Sequence, residues 1–166
     1  YGMLLTHLKT DIEMFREANV PIETELSLLE QKYAQLSGAM TVEFDGEEKT
    51  LPMMARYLEV TDRSVREAAW RTTWERRLQD RQAFDDLFDE MVAKRVTIAA
   101  NTGYPDYRDY AHDAKHRYDY KPADCMKFHD AVEKHCVPVM RRLNADRTTE
   151  LGVDAHLAGD HRTHPR

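Results

Sequence analysis

Ile22, Leu26, Leu29, Tyr33 and Leu36 recur at steps of four, three, four and three. That spacing puts five apolar side chains on one face of an α-helix and suits no strand. The same period appears earlier, in Leu4, Leu5, Leu8, Ile12 and Phe15, so residues 2–17 also read as a helix. Asn19-Val20-Pro21 breaks the run between them. Pro21 suits a first helical turn, Glu23 and Glu25 suit its dipole, and Ser37-Gly38 ends it. A chain patterned this way has to bury helix faces against one another.

One segment breaks the period. In MTVEFDGEEKT, residues 40–50, Val42 and Phe44 alternate with Thr41 and Glu43, and Asp45-Gly46 is a two-residue hairpin turn. A single hairpin is marginal in water, so it must pack on helices. Thr50 and Pro52 then open a short helix to about Leu58, and Thr61-Asp62 can cap a longer one. Val65, Ala69, Trp70, Trp74 and Leu78 form its stripe, with the paired tryptophans read as core. Phe84, Leu87, Phe88, Met91, Val92, Arg95, Ile98 and Ala99 form the next, up to Gly103, with a bend expected around Gln79–Gln82. Residues 104–121 read as a connector that holds five of the eight tyrosines. Pro122 opens the last helix, whose stripe is Cys125, Phe128, Val132, Cys136, Val139 and Leu143. Pro138 should kink it. The expected fold is mainly α, with long amphipathic helices packed as a bundle and one short β-hairpin near residues 40–50.

With 166 residues, 42% hydrophobic and 33% charged, the composition is that of a globular chain. The net charge of −6 argues against a nucleic-acid partner, which needs a basic patch. Arg76-Arg77 and Arg141-Arg142 sit in helical patterns flanked by acids, as solvated faces do. No run reaches the roughly 18 apolar residues of a membrane span. Cys125 and Cys136 would lie roughly 16 Å apart along one helix, too far to form a disulfide with each other. Free cysteines fit a reducing compartment, and the expected location is cytoplasmic. The chain begins inside a helical pattern at Tyr1, and we expect it to be a fragment of a longer protein.

Three groupings could carry metal chemistry. In HDAKH, His112 and His116 stand four apart with an acid between, one methylene short of the helical zinc signature H-E-x-x-H. Aspartate reaches less far than glutamate toward a metal-bound water, and only Ala111 and Ala114 supply apolar cover nearby. An exposed polar turn is the reading adopted for it. Cys125, His129 and Cys136 fall within about 40° on a helical wheel. One helix cannot wrap a tetrahedral ion, and cysteine on an apolar stripe acts as a small hydrophobe. His156, His161 and His164 lie in an aperiodic tail. There is no G-x-S-x-G, no phosphate-binding glycine loop and no H-E-x-x-H.

Longer phrases are more specific. TELSLLEQKYAQLSGAMTVEFDGEEKTLPMMARYL is followed by DRSVREAAW, then LFDEMVAKRVTIAANTGYPDYRDYA, RYDYKPADCMKFHDAVEKHCVPVMRRL and ELGVD. Together, from about residue 20 to 154, they resemble the oligoendopeptidase F and Pz-peptidase type of thimet-oligopeptidase-like zinc metallopeptidases. The resemblance implies a helical, two-lobed enzyme that cleaves short peptides in a channel. Its zinc would be held by two histidines of H-E-x-x-H and a later glutamate. The matching phrases lie upstream of that motif, so no catalytic or metal residue carries over to this chain. HDAKH precedes the phrase RYDYKPADC, whereas the family's zinc motif follows it, so His112 and His116 fall in a variable polar stretch.

The resemblance therefore implies a fragment, residues 1–154, that lines the channel and supports a C-terminal catalytic lobe outside this chain. Zinc belongs to the intact enzyme, and this chain alone is expected to be inactive. Its partners are short peptides and the missing lobe, with no nucleic acid and no membrane. Candidate channel residues are Arg117, Tyr118 and Tyr120. Residues 155–166 depart from the family pattern, since AHLAGD replaces a phrase like L-R-P-W-D. The rival expectation is a non-enzymatic helical interaction module, which the amphipathic stripes would serve equally well.

Overall fold

A computed structural model describes residues 1–153. Helix α1 spans Gly2–Met14 and α2 spans Asn19–Gly38. Strands β1 (Thr41–Phe44) and β2 (Glu47–Thr50) follow, then α3 (Leu51–Met54) and a 3₁₀ turn over Ala55–Glu59. Next come α4 (Arg63–Gln79), α5 (Arg81–Thr102), α6 (Tyr107–Ala114), α7 (Pro122–Ala131) and α8 (Val137–Leu151). The mainly α class and, among the described residues, the single hairpin are as the sequence predicts. The tail, with His156, His161 and His164, lies outside the described residues.

The chain divides into two compact units. One holds Tyr1–Tyr33 and Asp85–Val132, and the other holds Ala34–Phe84 and the chain from Glu133. The second unit is built on the hairpin. Thr41 pairs with Thr50, Val42 with Lys49 and Phe44 with Glu47, in antiparallel register. Asp45 (φ 55°) and Gly46 (φ 75°) are both left-handed, as a turn matching the strand twist requires. Val42 turns inward and joins Met40, Leu51, Met54 and Ala69 in one buried cluster, flanked by Phe44, Tyr57, Leu58 and Phe84. Burying Met40 and Met54 stabilises this unit by about 1.5–3 kcal/mol each relative to exposure. Asp62 caps α4 by accepting the Ser64 N–H at 2.8 Å. Arg66 is buried, and its Nη1 donates to the Val60 and Thr61 carbonyls at 3.0 and 2.8 Å.

The first unit is knit by a polar knot. Asn19 is 2% exposed. Its Nδ2 donates to the Ile98 carbonyl and to Thr102 Oγ1, both at 3.2 Å, while Asn101 Nδ2 donates to its Oδ1 at 2.8 Å. The break expected at Asn19-Val20-Pro21 falls instead at residues 15–18, and Asn19 opens α2. Lys94 pairs with Glu25, and Arg95 with Glu30 at 3.2 Å, which ties α5 to α2.

Several sequence expectations need correction. The segment 104–121 is not only a connector, because it contains α6. Asp106 accepts the Asp109 N–H at 2.8 Å and starts that helix. Trp74 is 48% exposed, with Arg77 over its ring, so it is not a core residue. Cys136 is exposed, as are Phe128, Val139 and Leu143, so the stripe of the last helix is not buried within this chain. That helix is also not uniform. A π-helical turn over Val132–Cys136 precedes Pro138, which lacks an N–H and needs a wider backbone turn. The extra residue in the turn rotates Cys136 away from the regular 3.6-residue register assumed for it.

Candidate functional site

The stretch that carries HDAKH becomes two structures. α6 ends at Ala114, and His116 adopts φ 52°, a left-handed conformation that stops the helix and redirects the chain. His112 and His116 therefore do not stack on one helical face. His116 Nε2 lies 2.7 Å from Asp11 Oδ1, and its ring stacks on His7 at 4.3 Å. Tyr118 donates its hydroxyl to Thr10 Oγ1 at 3.0 Å. These contacts pin the segment after α6 onto α1.

His112 goes the other way. It is not the exposed polar group expected, since only 8% of it is exposed. Its ring meets Tyr120 edge-on at 5.3 Å. Nδ1 stands 3.5 Å from Asp113 Oδ1, and the buried Nε2 has no hydrogen-bond partner. Leaving a buried polar atom unsatisfied costs about 1–3 kcal/mol, so such an atom invites a functional account. Asp113 is held from behind by the Tyr104 hydroxyl, which donates to Oδ2 at 2.7 Å. Burial, then the Asp113 carboxylate, pushes the Tyr104 phenol up to about 12.

These groups surround a cavity of about 430 Å³. His112, Arg117, Tyr118, Tyr120 and Lys121 line it, with Tyr104, Asp109 and Asp113. The structure thus brings the three sequence candidates, Arg117, Tyr118 and Tyr120, to one concave surface. Sequence reasoning missed His112 and Lys121 there. The available signal was Asp106 followed by Tyr107, Tyr110, Ala111 and Ala114, a cap and a short helical face. A helix through His112 puts it next to the cavity rather than in solvent.

A second cavity, of about 550 Å³, lies beside Phe44, Tyr57 and Asp62. Its polar groups are engaged locally: Asp62 holds Ser64, and the Tyr57 hydroxyl donates to Asp45 at 3.4 Å. Among the described residues no three His, Cys, Asp or Glu side chains are placed to hold a metal ion. The donor sets of HDAKH and of Cys125, His129 and Cys136 therefore do not fit zinc.

The architecture defines a class before it defines a family: among the described residues, a mainly helical scaffold with one hairpin, a fold shared with solved oligoendopeptidases. Pz peptidase A, solved with an inhibitor, matches with a TM-score of 0.93 at 24% identity, over 97% of this chain and 29% of that one. A protein from Bacillus anthracis str. Ames assigned as an oligoendopeptidase F matches with a TM-score of 0.92 at 23% identity, over 97% and 30%. At that identity the likeness speaks to the fold. Oligoendopeptidase-F from Enterococcus faecium gives 0.72 at 25% identity, over 84% and 28%. The chain spans about 30% of the length of these proteins. No curated protein compared matches it. Residues 56–162 match the sequence profile of Peptidase family M3, and the chain belongs to that family.

Proposed function

We propose that this chain is the helical portion of a zinc-dependent oligoendopeptidase that hydrolyses short peptides. Its helices form a wall of the peptide channel and support a catalytic lobe carried elsewhere in the longer protein. The observation that carries the reading is the convergence of Arg117, Tyr118 and Tyr120 on one cavity, in a member of Peptidase family M3. Tyrosine rings offer a peptide flat apolar area with a polar edge, and arginine offers a fork of donors for its carbonyls or carboxylate. Zinc would be bound by the catalytic lobe, and the 166-residue chain would not turn over peptide by itself. With Cys125 and Cys136 as free thiols, we place the protein in the cytoplasm. Among the described residues no helix is long and apolar enough to cross a membrane.

The test uses the chain alone and a quenched-fluorescent short peptide with added zinc. The expected result is saturable binding by anisotropy with no cleavage above blank. Chelator-sensitive cleavage that disappears in His112→Ala would sink the assignment of catalysis to another lobe. Absence of binding by a folded chain would instead favour the interaction-module reading, which the exposed Leu4, Leu8, Ile12 and Phe15 of α1 would serve.

A further inference from the structure

We propose that the outward face of α1 is a docking seam for an amphipathic helix, supplied by the part of the longer protein that lies outside this chain. The inference rests on the reading of this chain as one portion of a longer peptidase. It names the surface through which that portion meets the rest.

Leu5, Leu8, Ile12 and Phe15 follow one another at steps of three, four and three. That is the spacing of a seam that receives the side chains of a second helix as knobs in holes. All four are between 50% and 75% exposed, and Leu4 beside them is exposed as well. A contiguous apolar stripe left in water marks an interaction surface. The helix does not turn to bury this stripe within the chain, because another of its faces is already committed. His7 stacks on His116 at 4.3 Å, Thr10 Oγ1 accepts the Tyr118 hydroxyl at 3.0 Å, and Asp11 Oδ1 lies 2.7 Å from His116 Nε2. At about 100° per residue, that docked polar face and the apolar seam are turned roughly 120° apart. α1 is thus clasped to the segment after α6 by its polar side, with its leucines held outward.

The remaining face of α1 narrows the choice of occupant. It carries Thr6, Lys9 and Glu13, and Lys9 pairs with Glu13 at 3.7 Å. A helix that lies on a membrane surface is rich in lysine and arginine beside its apolar face, and one internally paired lysine does not supply that. An extended peptide reads alternate residues, whereas a stripe at steps of three and four matches a helix laid along it. The flanking charges cancel, so the apolar stripe of the partner does the selecting. Length supplies the source. The chain spans about 30% of the solved oligoendopeptidase it matches over 97% of its own residues. Most of a protein of that build lies outside it and has helix faces of its own to bury.

The experiment measures anisotropy of a labelled amphipathic peptide of about three heptads, with leucine at the seam positions, against the 166-residue chain. The peptide should bind saturably at one to one, and a scrambled peptide of equal composition about tenfold more weakly or worse. Leu8→Glu combined with Ile12→Glu charges the seam at exposed positions and should abolish binding with the circular dichroism spectrum unchanged. Thr6→Glu, on the free polar face, should leave binding as it is. A thiol placed by Leu8→Cys should react with maleimide about tenfold more slowly in the longer protein than in the 166-residue chain, with the labelled site mapped by mass. Equal binding of the scrambled peptide, or binding that survives the double change, overturns the seam. Equal labelling of both proteins overturns the assignment to the remainder of the longer protein. A dimer in sedimentation that the double change dissolves gives the face to a second copy. Flotation with phosphatidylcholine–phosphatidylserine vesicles that the double change abolishes gives it to lipid, and either result overturns the helix assignment. Loss of the seam with short-peptide binding retained removes this inference alone. Loss of short-peptide binding with the seam intact removes the peptidase reading alone.

Discussion

His112 and His116 are four residues apart and have different fates because one backbone angle separates them. His116 at φ 52° ends α6, so its imidazole turns to Asp11 and His7, while His112 stays on the helix and is buried. Behind His112, Tyr104 carries the clearest electrostatic signature of the site. Its folded phenol titrates near 12, above the ordinary 10, chiefly because burial penalises the phenolate. A raised acid group binds its proton more tightly in the folded state. Its contribution to stability is therefore complete below pH 10 and is lost as pH rises from 10 toward 12. Tyr104→Phe should flatten the loss of stability across that window, read from urea midpoints at successive pH values. An unchanged slope would mean that the phenol is not held neutral by the fold.

Among elements, the hairpin depends on its turn. A Cβ on Gly46 would meet nothing within 4 Å, so the cost of Gly46→Ala comes from the backbone alone. At φ 75° it should be about 1–2 kcal/mol, measured by chemical denaturation. The hairpin was legible in the sequence because alternation and Asp-Gly are local signals. α6 was harder to read, because eight residues give barely two turns of periodicity and five of them are tyrosine, aspartate or arginine. Its capping by Asp106 was the local clue. The π turn had no local signal beyond Pro138.

At the scale of the molecule, two separate packing centres make separable predictions. Met54→Ala should destabilise the hairpin unit by about 2–4 kcal/mol through the cavity it leaves. Asn19→Ala should strip the side-chain donor from the buried Ile98 carbonyl and Thr102 hydroxyl and cost about 1–3 kcal/mol in the other unit. Hydrogen exchange would show each loss concentrated in its own unit, Tyr1–Tyr33 with Asp85–Val132 or Ala34–Phe84. Equal deprotection throughout would instead mean that the units unfold together.

What the sequence determined by itself was whatever is encoded over a few neighbouring residues: helix stripes, the Asp-Gly turn, the caps, and the ordered phrases that resemble a metallopeptidase. It also excluded H-E-x-x-H from these 166 residues. Whether a stripe is buried was not encoded that way. Leu4, Leu8, Trp74 and Phe128 follow apolar patterns and stand exposed, while Asn19, Lys49 and His112 are buried. Burial depends on which surfaces meet, and those contacts join residues far apart in sequence. Only the tertiary structure could turn HDAKH from an apparent metal motif into a helix end, with one histidine bound to α1 and the other set in the wall of a cavity beside Arg117.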